Sequence, residues 1–349
     1  MKGKRQDMAV SLPRRRILVT GGSGFLGAHL VDALGSLGPV DVVNVDVSAP
    51  KVRDQVQYWV EGDVRDAQRV RDVFSEFEPT HVVHLAARTD MGGASLAAYS
   101  LNTEGTSNIV DAVANTSSLQ RSLFISSLFV CQPGYLPRSD DDYMPNTLYG
   151  QSKVMAEEVV RKAELQSEWV ILRPTTIWGP GDINYRREFY QTVRRGTYLH
   201  PRGKTCLRSY GYVRNVVSQI WFFLNADAEG VNGATFYLGD PVVDIVEFAD
   251  EFSRQLRGRG ARMVPASLVH GVAIVGDVAT KLGFRFPLTT ARYRAMTETY
   301  PVPIERTIAL TGTGPYSLQE GVRETVTWLR TFEANRGDCR GTIDSPDAC

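Results

Sequence analysis

The chain has 349 residues, 43% of them hydrophobic, with 39 basic and 39 acidic side chains. That length buries one large core or two unequal ones, and a net charge of zero gives no global pull toward nucleic acid. No apolar run approaches the ~20 residues of a membrane-spanning helix.

The start, Met1 to Arg16, is basic but carries no apolar signal core, so residues 1–14 are expected to be a disordered tail. A mitochondrial presequence is the alternative, disfavoured by the short length and by Asp7. The four cysteines, Cys131, Cys206, Cys339 and Cys349, show neither metal spacing nor a disulfide framework, which suits a reducing cytoplasm and no metal.

Arg16 to Thr20 reads as an apolar strand. Gly21-Gly22-Ser23-Gly24-Phe25-Leu26-Gly27 follows as a glycine turn, and Ala28 to Leu37 as an amphipathic helix. Glycines there make the turn tight, let the backbone approach a pyrophosphate, and let the helix pack on its strand. The helix start offers N–H groups and a positive dipole end to phosphates. A second strand, Val42 to Val45, ends at Asp46, about 20 residues beyond the glycines, where an acid binds the adenosine ribose hydroxyls. A carboxylate at that position repels a 2′-phosphate, and no arginine follows it immediately, the next residues being Val47-Ser48-Ala49-Pro50. The cofactor is therefore read as NAD rather than NADP.

Tyr58 to Glu61 reads as a third strand. Beyond it, Asp63 is placed to face an adenine edge and Asp66 to cap a helix from Ala67 to Phe77. Thr80 to Ala87 is a fourth strand whose small final residues leave room for a dinucleotide. His84 within it is read as a packed histidine rather than a catalyst. A helix from Leu96 to Val113 holds Asn102, and Ser122 to Ser127 is a fifth strand. The alternation implies a parallel sheet covered on both faces.

Tyr149 and Lys153 stand four apart at the front of a helical stretch running from Val154 to Leu165, so they share a face. An ammonium beside a phenol pulls its pKa down from ~10, which would suit Tyr149 to exchange a proton with a substrate hydroxyl or ketone. Lys153 could also hold the nicotinamide ribose. Ser127, at the end of the fifth strand, could polarise the reacting oxygen.

These stretches, together with Leu172-Arg173-Pro174-Thr175-Thr176-Ile177-Trp178-Gly179-Pro180, resemble the extended short-chain dehydrogenase/reductases. More narrowly, they are similar to the NAD-dependent sugar-nucleotide epimerase/dehydratase family. The likeness runs from about Arg15 to about Phe332. It implies a Rossmann-type α/β fold, a doubly wound parallel sheet with a smaller C-terminal substrate-binding lobe.

By position, the resemblance makes Ser127, Tyr149 and Lys153 the catalytic triad. It lines NAD with Gly21, Gly24, Phe25, Leu26, Gly27, Asp46, Asp63, Val64, Leu85, Ala86, Ala87 and Asn102, besides Tyr149 and Lys153. Arg208 matches an arginine that grips a nucleotide diphosphate, for which a guanidinium fork is well shaped. Thr176 stands where a substrate-binding asparagine is common.

Three departures qualify the likeness. Leu128-Phe129 replace the Asp-Glu pair with which dehydratases of the family eliminate water, and neither moves a proton. Cys131 stands where a tyrosine is common. A second phosphate-gripping arginine has no clear match, with Arg292 or Arg294 as substitutes.

The later elements are a sixth strand at Trp169 to Arg173, helices at Asn184 to Arg195, Arg214 to Leu224 and Ile245 to Leu256, and a strand at Ala234 to Leu238. Ser317 to Glu320 is a capping box opening a helix to Phe332. The expected division is an NAD-binding domain over 15–180, rejoined by segments near 208–240, a substrate lobe over 181–332, and a disordered tail over 333–349. The expected activity is epimerisation of a nucleoside diphosphate sugar at C4 through a transient keto-sugar. The nearest alternative is a reductase or dehydrogenase of a keto-sugar nucleotide. A 4,6-dehydratase, a hydrophobic-alcohol dehydrogenase and a silent NAD sensor follow. The resemblance also implies a homodimer built on the helices of Leu96–Val113 and Val154–Leu165, with no nucleic-acid or membrane partner.

Overall fold

The computed structural model describes residues 14–182, 189–284, 286 and 288–338. A sheet of seven strands is built from β1 (Arg15–Thr20), β2 (Val40–Asp46), β3 (Trp59–Glu61), β4 (His81–His84), β5 (Arg121–Ile125), β6 (Glu168–Pro174) and the strand Thr235–Leu238. Their order is Thr235–Leu238, β6, β5, β4, β1, β2, β3, and every pairing is parallel. The chain winds outward from β1 in one direction and from β4 in the other. The crevice between their carboxyl ends is where a doubly wound sheet takes its ligand.

Both faces of the sheet are buried, and the two-residue period of a strand decides which side chain goes where. Ile17 and Val19 pack with Leu30, Val31 and Leu34 of α1 (Phe25–Gly35) and with Ile220 and Phe223 of the helix Val213–Asn225. Leu18, between them in sequence, faces the other side. There it meets Val70 and Val73 of α2 (Ala67–Phe77), Ile109 and Val113 of α3 (Ser100–Ala114), and Val160 of α4 (Leu148–Lys162).

A second, aromatic core lies beyond β6. Trp178 sits 5.0 Å from Tyr212 and 5.1 Å from Phe248, and Tyr210 stacks on Phe248 at 4.3 Å, ring centre to ring centre. The segment near 208–240 contributes to both cores, since its last strand pairs with β6 while Tyr210 and Tyr212 belong to the aromatic cluster.

Several boundaries move from their expected places for identifiable reasons. The first helix starts at Phe25, because Gly24 takes the extended cap conformation. The helix expected from Leu96 divides at Tyr99: a single 3-10 turn precedes α3, and the Tyr99 hydroxyl donates to Asp90 O at 2.8 Å, folding the preceding loop back. α4 begins a turn before Val154, because Thr147 Oγ1 caps it by accepting from Gly150 N. Tyr149 and Lys153 therefore both lie inside a helix. Asp66 caps α2 as expected, accepting from Gln68 N and Arg69 N.

The capping box forms, with Ser317 N donating to Glu320 Oε2 at 2.9 Å and Glu320 N to Ser317 Oγ at 3.3 Å. Its helix does not stop at Phe332. It runs Leu318–Asp338, and Arg194 holds Glu333 at 2.6 Å, so the start of the expected disordered tail is helical. Of the helix expected over Asn184 to Arg195, Gln191–Arg195 is helical and residues 184–188 lie outside the described residues. The tail at 1–13, and Cys339 and Cys349, also lie outside them. Among the described residues, the α-helices Ala266–Lys281, Thr290–Ala295 and Glu305–Thr311 had no sequence expectation.

Candidate active site

The glycine turn sits at the carboxyl end of β1. Gly21 has φ +74°, and a Cβ there would lie 2.6 Å from Ala86 N, so the position admits only glycine. A Cβ on Gly27 would stand 2.3 Å from Gly21 O. That contact is the close packing of helix on turn. Gly24 is different: its Cβ would meet only Gly21 O, at 3.2 Å, which leaves the face above it open to a ligand. Gly24 supplies no side-chain cap and the first turn of α1 carries no acid, so the helix start is formed to receive an anion.

Asp46 closes the far side of this turn. Its carboxylate accepts from Ser23 N at 3.1 Å and Ser48 N at 2.9 Å, tying the end of β2 to the glycine loop. Leu85, Ala86 and Ala87 follow β4. They are held against β1 by Leu85 N donating to Thr20 O at 3.0 Å and Ala86 N to Thr20 Oγ1 at 3.2 Å. An open glycine cradle, an uncapped helix start and a carboxylate one strand away together fit a dinucleotide.

Three expected members of that surface have partners within the protein. The Asp63 carboxylate is gripped by Arg65, at 2.6 Å from Nη2, and this ion pair holds its pKa below the usual carboxylate range. Asp63 therefore meets Arg65 at the edge of this surface. Val64 beside it is buried in the core against α3. Asn102 is fully buried: Oδ1 accepts from Arg88 N at 2.7 Å, while Nδ2 donates to Arg88 O at 3.0 Å and Ser152 Oγ at 2.9 Å. It braces the loop after β4 against α4.

β5 stops at Ile125, two residues short of the expected end, and Ser127 instead caps the 3-10 turn Leu128–Val130, its Oγ accepting from Phe129 N at 3.3 Å. The Ser127 hydroxyl also lies close enough to Tyr149 to favour its ionised form. The Tyr149 ring lies between Tyr99, 6.2 Å away, and Phe129, 6.0 Å away. Lys153 is buried one turn further on, and its Nζ donates to Ile125 O at 2.9 Å. The fold thus gathers the three polar groups around the end of β5.

Their electrostatics correct one expectation. The Tyr149 pKa is raised above its ordinary value, because burial disfavours the phenolate more than the nearby Ser127 hydroxyl favours it. Burial likewise lowers the Lys153 pKa, to about 8, against the opposing pull of Glu157. The ammonium is spent on the Ile125 carbonyl, and the protein alone does not lower the tyrosine.

His84 is a packed histidine, as read. Its ring nitrogens lie 2.7 Å from Thr20 Oγ1 and 3.1 Å from Thr106 Oγ1, and burial pushes its pKa down to about 3.

On the substrate side, Thr176 opens β7 (Thr176–Trp178) and pairs with Tyr210, two residues from Arg208. Arg208 donates from Nη2 to Ala295 O at 2.7 Å and lies over the Tyr300 ring. Tyr300 in turn donates to Cys131 O, four residues past Ser127. Arg208 is thereby linked both to the wall next to the triad and to the short helix that carries Arg292 and Arg294. The guanidinium has five N–H donors, so one bond to a carbonyl leaves a fork for phosphate. Among the described residues, no group of three His, Cys, Asp or Glu side chains is arranged to hold a metal.

One supporting group escaped the sequence reading. Glu157 forms a buried ion pair with Arg173, at 2.8 Å, which joins α4 to β6, and Tyr143 donates to the same carboxylate at 2.9 Å. The signal was present in the spacing, since Tyr149, Lys153 and Glu157 recur every four residues on one helix face.

The model of the NAD dependent epimerase/dehydratase family matches residues 17–239. A 4-epimerase of N-acetyl-alpha-D-glucosaminyl-diphospho-ditrans,octacis-undecaprenol from Escherichia coli O157:H7 is 24% identical over 323 residues, 89% of this chain and 94% of that protein. A 3-beta-hydroxysteroid dehydrogenase from Mycolicibacterium neoaurum is 33% identical over 196 residues, 52% of each chain. Among solved structures, MoeE5 in complex with UDP-glucuronic acid and NAD aligns with a TM-score of 0.67 at 22% identity, covering 91% of this chain and 99% of that one. The matched segment holds the glycine cradle, Asp46, Ser127, Tyr149 and Lys153, and no helix among the described residues is long and apolar enough to cross a membrane. The chain belongs to the NAD dependent epimerase/dehydratase family, and is an NAD-dependent enzyme of the extended short-chain dehydrogenase/reductase type.

Proposed function

We propose that the chain is an epimerase of a diphosphate-linked sugar, most simply a nucleoside diphosphate sugar, acting at C4. The observation that carries this is the convergence of Ser127, Tyr149 and buried Lys153 on the end of β5, at the mouth of the dinucleotide crevice. Tyr149 takes the proton of the substrate hydroxyl and returns it. Ser127 orients the reacting oxygen. Lys153 would hold the nicotinamide ribose. NAD, when bound, supplies a hydride acceptor and donor, so that a keto-sugar forms and is reduced on its other face.

Gly21, Gly24, Phe25, Leu26 and Gly27 would hold the pyrophosphate, and Asp46 the adenosine ribose. Leu85, Ala86 and Ala87 would flank the dinucleotide, with Asn102 as a brace behind them. Arg208 would take the substrate diphosphate and Thr176 the sugar. Leu128 and Phe129 leave no acid–base pair for dehydration. We place the NAD-binding domain at 15–180 with returning segments near 208–240, and the substrate lobe at 181–332. The protein is read as a cytoplasmic homodimer joined through α3 and α4. The 4-epimerase among the relatives supports the choice of carbon.

A second reading, dehydrogenation of a hydrophobic alcohol, is favoured by the steroid dehydrogenase relative and by Phe129 packing on Tyr149. One measurement separates the two. The freshly purified protein is denatured and the released NAD(H) assayed. Near-stoichiometric NAD fits a cofactor recycled in place, and UDP-, GDP-, dTDP- and CDP-sugars are then screened for epimerisation without added cofactor. An empty protein that binds and consumes NADH with a keto-sugar or a steroid ketone overturns the epimerase.

A further inference from the structure

The helix Ala266–Lys281 has its large and small side chains on unexpected sides. Its buried positions are Val269, Ala273 and Gly276, and Gly276 packs so tightly on Leu288 that a Cβ would lie 1.9 Å from its carbonyl oxygen. The large residues point out. Leu268 is 57% exposed, Val275 61% and Val278 55%, and the stripe continues past the helix end to Leu282 at 70% and Phe284 at 68%. Positions 268, 275, 278 and 282 recur at helical spacing, so they form one continuous face. A contiguous apolar face of this kind marks an interaction site.

Charge identifies its occupant. The whole chain is neutral, yet residues 257–297 hold seven Lys and Arg against one acid, Asp277. That acid accepts from Thr290 N at 3.1 Å and Thr290 Oγ1 at 2.5 Å, and Glu298, just beyond, lies 4.0 Å from Arg294. Arg262 and Lys281, at either end of the helix, are exposed, as are Arg292 and Arg294. An exposed apolar face set among cations suits a bilayer surface rich in anionic lipid, where the side chains enter the acyl boundary and the cations meet headgroups. A second copy of the chain would bring the same positive charge against itself. The helix, at 16 residues about 24 Å long, is not an apolar span, so it would lie in the interface rather than cross it.

We propose that the Leu268–Phe284 face docks the protein onto an anionic lipid surface. The sequence expectation of no membrane partner followed from the neutral total charge, which conceals this local excess. Docking needs no substrate, so it stands apart from the catalytic reading.

The test is flotation of the full chain with vesicles of phosphatidylcholine, alone or mixed with phosphatidylglycerol. The wild type is expected to float with the mixed vesicles and to detach as salt rises. V275E/V278E should weaken this at least tenfold with an unchanged melting temperature. Should that variant not fold, L282S/F284S, just beyond the helix, replaces it. In F284W, tryptophan emission should shift to the blue on vesicle addition and be quenched by brominated lipid. No flotation of the wild type, or equal flotation of a folded variant, overturns the proposal. A dimer that the same substitutions dissolve, without vesicle binding, overturns it in favour of self-association.

Discussion

Asn102 reaches from α3 to α4 and donates a 2.9 Å hydrogen bond to Ser152 Oγ, whose own hydroxyl donates to Tyr149 O at 2.7 Å. The same amide holds Arg88 N and O in the loop after β4. One buried side chain therefore sets the distance between the wall of the cofactor crevice and the helix that carries Tyr149. Asn102→Ala should leave buried groups unpaired, at a cost of about 1–3 kcal/mol. It should also weaken NAD binding while the proton-transfer groups remain. Urea unfolding and an NAD titration check both; a variant with wild-type stability would mean that water or a rotated Ser152 replaces the amide.

The chemistry of Tyr149 is separable from its binding role. Tyr149→Phe should lower turnover by about 10²–10⁴-fold and change NAD affinity only slightly. Burial raises the phenol pKa, so the neutral form persists beyond the usual range. The ultraviolet difference between wild type and Tyr149→Phe without cofactor should accordingly show this residue ionising at higher pH than a free phenol. A tyrosinate titrating near pH 7 in the free protein would show that Lys153 dominates after all.

Gly21 carries the sharpest steric constraint in the turn, a φ of +74° together with a Cβ position 2.6 Å from Ala86 N. Gly21→Ala should cost at least about 1–3 kcal/mol and abolish NAD binding by pushing the loop after β4 away from β1. Gly38→Ala, where a Cβ would meet nothing within 4 Å, serves as the control and should be nearly neutral.

His84 predicts acid sensitivity. Its folded pKa, about 3, lies below the unfolded value of 6.5, so between those values the unfolded chain binds the extra proton. Stability then falls as pH falls from 6.5 toward 3, by up to about 1.4 kcal/mol per pH unit. His84→Gln should flatten the dependence of unfolding free energy on pH by about one proton in that window. An unchanged slope would assign the sensitivity to His81, whose pKa burial also lowers, to about 4.

The Glu157–Arg173 pair should be costly to break and cheap to replace. Glu157→Gln leaves the Arg173 guanidinium buried beside a neutral amide, and about 3–5 kcal/mol of stability should be lost. Glu157→Leu combined with Arg173→Met should recover much of it. Denaturant midpoints for the two variants decide the matter: a double variant no better than the single would show that Tyr143 and Arg161, which also contact Glu157, carry the interaction.

The primary structure by itself determined the parallel sheet, the glycine turn after its first strand and the common helix face of Tyr149 and Lys153, because each is written in local spacing. Glycines three apart, an acid after the second strand and a tyrosine four residues before a lysine constrain backbone and helix face within a few residues. Residue roles that depend on remote partners were not legible. Asn102 and Ser152 are fifty positions apart, and nothing local distinguishes a brace from a ligand. The ion pair of Asp63 with Arg65 was not legible either, because it depends on how the chain turns after β3. The direction of the Tyr149 shift was missed because burial, not the neighbouring lysine, is the larger effect, and burial is a property of the packed interior. The outward face of Ala266–Lys281 is the plainest case. Its apolar residues are visible in the sequence, but only the tertiary structure decides that Ala273 and Gly276 pack inward while Val275 and Val278 meet solvent.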